Sequence, residues 1–129
     1  MIRGTTAQFK FKTPYPKDEC LWIRIKFWQP NNPNELLPIT RIKEDCDTTD
    51  DQKEWVVSLT AEETARFLDK YKARVQLRAQ HSLTGSVFGT KPELITVYPM
   101  LDDIIEEDPT FPSKDQNGWI IIDGGIISD

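Results

Sequence analysis

His81 is the one histidine of the chain, and Ser82 follows it directly. A hydrolytic triad needs an imidazole beside a nucleophile in space, and adjacency in sequence specifies no such geometry. The expectation is therefore a surface loop residue. Asp45, Asp47, Asp50 and Asp51 crowd one segment. Carboxylates at close spacing bind hard cations through oxygen, but the segment lacks the glycine and terminal glutamate of a calcium loop. It reads as a solvated acidic loop. A second acidic run, Asp102, Asp103, Glu106, Glu107 and Asp108, has carboxylates able to do acid/base work, yet nothing gives them a pocket. It reads as a charged linker. Cys20 and Cys46 lack metal-ligand spacing and are expected as two buried thiols. Gly124 and Gly125 are followed by no helix carrying Lys-Ser/Thr, so no phosphate loop is present. No enzyme, cofactor or metal centre is expected.

Two aromatic sets remain. Trp22 and Trp28 alternate with Arg24 and Lys26 along one stretch. Exposed, they would stack sugars or bases; covered, they form a protein interface or a second core face, which is the leading reading. Near the end of the chain, Trp119, Ile120, Ile121 and Ile122, then Asp-Gly-Gly, then Ile126 and Ile127 spell a hairpin apolar on both faces. An isolated two-stranded unit is barely stable and, exposed, would aggregate. It must pack on something. Either it completes its own sandwich, or it is an arm that adds strands to a neighbouring subunit.

The elements that position these residues are strands. In the stretch Leu-Trp-Ile-Arg-Ile-Lys-Phe-Trp at 21–28, Ile23, Ile25 and Phe27 share one face, and the tryptophans and cations share the other. That period of two marks a half-buried strand. Ala7, Phe9 and Phe11 give an earlier strand, and the prolines at 14 and 16 end it. Residues 29–35 are turn chemistry. A return strand at 36–42, interrupted by Pro38, belongs at an edge, and Trp55, Val57 and Leu59 form a short strand. Thr60 to Glu63 is a capping box, predicting a helix over residues 61–70 with Ala61, Ala65 and Leu68 buried. Val75, Leu77 and Ala79 point inward and Arg74, Gln76 and Arg78 outward from a strand at 73–79, residues 80–92 are a loop, and 93–98 is the last strand. Seven strands and one short helix predict an all-β, immunoglobulin-like antiparallel β-sandwich with a C-terminal β-hairpin extension. A small barrel is the alternative. The sandwich covers residues 1–106, and 107–129 are linker and hairpin arm.

The chain has 129 residues, 38% hydrophobic and 29% charged, which suits one thin two-layer domain. A formal net charge of −5 argues against a general nucleic-acid binder and against attraction to membrane surfaces. No apolar run nears the ~18 residues that span a bilayer and no leader is visible, so a soluble protein made in the cytoplasm is expected.

Several short blocks recur together in a known order: Met1-Ile2-Arg3-Gly4-Thr5-Thr6 with Phe9, then Leu59-Thr60-Ala61-Glu62-Glu63-Thr64, then Val75-Gln76-Leu77-Arg78, then Ile95-Thr96-Val97 before Leu101-Asp102-Asp103. They resemble a family of small proteins encoded in the tail-morphogenesis region of Firmicutes phages and prophages. The opening is also similar to the N-terminal β domain of phage upper baseplate proteins. The resemblance covers about residues 1–106. It implies a virion structural or assembly protein of the tail tip or baseplate, made in the host bacterial cytoplasm, which contacts other tail proteins or copies of itself and binds neither nucleic acid nor membrane. It carries no catalytic residues. Longer loops at 29–35, 44–54 and 80–92, and the extra tail, depart from the family pattern. The runner-up is a carbohydrate-binding or host-attachment module using exposed Trp22 and Trp28; a third reading is an accessory or inhibitor protein acting on a host factor.

Overall fold

A computed structural model of the chain describes residues 1–100 and the strand at 119–123. The strands are β1 (Ala7–Lys12), β2 (Cys20–Trp28), β3 (Ile39–Ile42), β4 (Asp47–Thr48), β5 (Glu54–Leu59), β6 (Ala73–His81), β7 (Val87–Gly89), β8 (Glu93–Ile95) and β9 (Trp119–Asp123), with one helical turn, α1 (Ala61–Thr64). They form two sheets. One runs β4-β5-β1-β9; the other runs β3-β2-β6-β7, with β8 also on β6. Because β7 and β8 pair with successive parts of β6, they act as one interrupted strand. The fold is an all-β sandwich, and its strand order follows the immunoglobulin plan, in which the strands of one sheet lie in the order A-B-E-D. The place of strand A, beside β1, is taken by β9 from the far end of the chain. Among the described strands every ladder is antiparallel except that one, which is parallel and pairs Gln8 with Trp119 through to Lys12 with Asp123.

The alternation read from the sequence builds the core. Phe9, Phe11, Trp55, Val57 and Leu59 face Ile23, Ile25, Phe27, Val75, Leu77 and Ala79, all essentially inaccessible to solvent. Phe9 and Phe27 meet across the two layers with ring centroids 4.9 Å apart, and Trp55 reaches Phe88 at 6.1 Å. Each such large side chain contributes about 1.5–3 kcal/mol by leaving water. The strand containing Ile39 is shorter than expected and does sit at a sheet edge. Cys20 and Cys46 are free and buried.

Three expectations are corrected. The helix predicted over 61–70 is a single turn at Ala61–Thr64. Its capping box is present, with Thr60 accepting from the Glu63 amide. Beyond it, distant side chains take the hydrogen bonds that would extend the helix. Arg3 donates to the carbonyls of Ala65 and Phe67, and Gln29 accepts from the Leu68 amide. Thr64 and Phe67 are buried in place of Ala61, Ala65 and Leu68. The loop expected at 80–92 contains the end of β6 and the whole of β7. At Gly89 the backbones approach so closely that a Cβ would lie 2.2 Å from the Leu77 carbonyl oxygen. Finally, the strand expected at 93–98 stops at Ile95. Its continuation bonds instead to the start of the chain, where the Tyr98 amide donates to the Met1 carbonyl and the Arg3 amide to that of Tyr98.

Candidate protein interface

The outer face of the second sheet follows from the β2–β6 register. Antiparallel pairing sets Trp22 opposite Gln80, Arg24 opposite Arg78, Lys26 opposite Gln76 and Trp28 opposite Arg74. Residues directly opposite share a face, so the two outward rows fuse into one surface. Arg24, Lys26, Arg74 and Arg78 are exposed on it, while Trp22 and Trp28 are half-buried. β3 adds Thr40 and Ile42 beside Lys26 and Arg24, and β8 adds Leu94 beside Arg74. The strands β2, β3, β6 and β7 carry no carboxylate at all. Glu93, on β8, pairs with inward-facing Val75 and so belongs to the opposite side.

The face is therefore strongly cationic on a chain whose net charge is −5. Two shallow clefts continue the charge. One, of about 220 Å³, is lined by Gln76, Arg78 and Lys91 among others; the second, of about 360 Å³, by Lys70, Lys72, Arg74 and Tyr71 among others. Among the described residues neither has a carboxylate in its lining. Arg24 lies directly across from Arg78 in the register.

Trp22 is not a free stacking platform. The Trp22 indole N–H donates to the Gln80 side-chain oxygen at 2.9 Å. Its ring lies under the Arg24 guanidinium, whose carbon is 5.8 Å from the ring centroid, a cation–π contact that holds the arginine flat against the sheet.

His81 is buried rather than on a surface loop, which corrects the sequence expectation. Its ring stacks on Tyr15 at 3.8 Å. One ring nitrogen meets the Glu19 carboxylate at 3.0 Å, and the second meets the Thr84 hydroxyl at 2.9 Å. The Ser82 hydroxyl donates to the Glu19 backbone carbonyl, so it is not aimed at the imidazole. This cluster pins the 82–86 turn to Glu19, just before β2; it has the residue types of a catalytic site without the geometry of one. The thiols are equally engaged in structure. Burial pushes Cys20 up to about 11 and Cys46 up to about 12, which keeps both protonated and unreactive. Among the described residues no group of three or more His, Cys, Asp or Glu is placed to hold a metal ion, and no helix is long and apolar enough to cross a membrane.

Of the expected arm, Trp119, Ile120, Ile121 and Ile122 lie on β9, added to the open edge of β1 in the same chain. Ile126 and Ile127, the second strand of the expected hairpin, lie outside the described residues, as do the linker and the second acidic run. The acidic segment has Glu44, Asp45, Asp47, Asp50 and Asp51 exposed around β4. Sequence reading found both outward rows, on β2 and on β6, but not that they are neighbours. Only the strand pairing shows it. In comparisons with protein-family models, curated proteins and solved structures, the chain finds no match.

Proposed function

We propose that this chain is a virion structural or assembly protein of a phage tail tip or baseplate, working by protein–protein contact. The observation that carries the reading is the edge of β1, where a strand separated from it by about a hundred residues fills the place of a missing immunoglobulin strand. An edge that takes its strand from a distant segment in parallel is built for strand addition, in which main-chain hydrogen bonds give affinity. The same strand supplied by a neighbouring copy or another tail protein would make identical bonds, so one device serves both a closed subunit and a linked assembly. The resemblance of the sequence blocks to tail-region proteins is consistent with this reading.

The carbohydrate-binding alternative draws less support, because the Trp22 ring is covered by Arg24 and its N–H is engaged. Two measurements test the proposal. In particles and assembly intermediates purified from a host that encodes the chain, mass spectrometry should find it at a fixed ratio to tail proteins; absence from both overturns the virion reading. Removal of residues 118–129 should leave a folded sandwich that no longer joins tail intermediates; a truncated chain that still assembles normally removes the role of β9.

A further inference from the structure

We infer that β9 is exchanged between copies of this chain, so that the strand of one copy fills the β1 edge of the next. The inference rests on the strand-addition reading above and names the donor as a second copy. Three observations carry it. The first is the ladder itself. Among the described residues β9 pairs with β1 and with no other strand, in a parallel register from Gln8–Trp119 to Lys12–Asp123. Those main-chain bonds depend on the two strands alone, so they form identically whichever copy supplies β9. The second is where the chain leaves and returns. Met100 lies against Gly4, whose Cβ would stand 3.2 Å from the Met100 methyl carbon, and Trp119 lies beside Gln8. Gly4 and Gln8 are four residues apart, a span of at most about 14 Å. The third is length. Between Met100 and Trp119 stand 18 residues, which reach about 60 Å when extended. Closing on the same copy spans about a quarter of that.

A surplus of this size has a physical consequence. A sandwich of ~100 residues is roughly 35 Å across, from a radius of gyration of about 13 Å, so the same connection carries β9 onto the β1 edge of a copy packed alongside. Connections longer than about 12–15 residues are uncommon inside a compact domain and accompany a functional role or a link. A second copy is the donor that the chain itself provides. Every copy brings one β9 and one β1 edge already in matching register, whereas a foreign strand would have to reproduce it. Each copy donates one strand and accepts one, so the exchange closes as a pair or a ring and leaves no β1 edge unfilled. Mass action sets when it happens. A tethered strand meets its own edge at an effective concentration on the order of 1 mM. A dilute copy therefore closes on itself, and copies held together above that concentration exchange.

The test is covalent capture in the full chain. Neighbouring strands sit within disulfide reach, so Lys12→Cys and Asp123→Cys place two thiols at one end of the ladder, while Cys20 and Cys46 stay buried. Both substitutions in one chain should give an intrachain link on oxidation with glutathione disulfide at ~10 µM protein, which verifies the register. The two single variants, mixed in equal amounts at ~1 mM, should give a heterodimer at least tenfold in excess of either homodimer, and that excess should vanish at ~10 µM. Mass spectrometry of the linked peptides identifies the species. Should either variant fail to fold by circular dichroism, Gln8→Cys with Trp119→Cys captures the other end of the ladder. An intrachain link in the double variant with no excess of heterodimer at ~1 mM overturns the inference; it leaves the proposed function standing, with another tail protein as the donor. No intrachain link in either double variant removes the β1–β9 ladder and overturns both readings.

Discussion

Gln29 is predicted to be a structural hub whose loss costs more than that of any other polar side chain in the turns. It is 5% exposed and sits at the end of β2. Its amide nitrogen donates to the carbonyls of Leu68 and Tyr71 at 2.6 and 2.7 Å. Its oxygen accepts from the Leu68 amide and from Asn32, both at 2.7 Å. Gln29→Met keeps the length and volume of the side chain and removes all four bonds. At ~1 kcal/mol net for each hydrogen bond the upper figure is about 4 kcal/mol, and water reaching the 68–71 turn lowers it, giving about 2–4 kcal/mol. For a domain of this size that is a fall in Tm of roughly 8–16 °C. Urea unfolding followed by tryptophan fluorescence reads the loss as a shifted midpoint with unchanged slope. A loss below ~1 kcal/mol would refute the reasoning, since the turn would then hold its shape without the glutamine.

Two further outcomes follow from named contacts. Gly89→Ala should destabilise the domain by about 1–3 kcal/mol, because its Cβ would overlap the Leu77 carbonyl and must push β7 off β6; thermal melting of the variant checks this. For Glu63, burial pushes the carboxyl up, but hydrogen bonds from Thr60 and the Arg41 guanidinium outweigh it and hold the group below its ordinary value of 4.5. A depressed carboxylate stabilises the fold fully above the unfolded value, and that stability is lost as pH falls through the folded one. Stability measured from pH 6 downward should fall less steeply below about pH 4.5 in Glu63→Gln than in the wild type; identical slopes would remove the group from the acid response.

The strands with strict alternation were legible in the sequence because burial of one sheet face imposes a period of two that no other element produces. Phe9 and Phe11, Ile23 to Phe27, and Val75 to Ala79 were read correctly for that reason, and with them the sandwich. The Thr60–Glu63 capping box was equally legible, being wholly local. What the sequence did not contain was the helix's end, because Arg3 and Gln29, distant in the chain, take the hydrogen bonds of its next turn. Nor did it contain β7, whose glycine reads as a loop until the Leu77 carbonyl is seen beside it. The outward rows of β2 and β6 could each be named from sequence, but a row of Trp, Arg and Lys is only a solvated face until a register sets Arg24 against Arg78. Sequence by itself determined which residues avoid water. Tertiary structure decided which charges became neighbours, because pairing between strands is a long-range choice that no local pattern encodes.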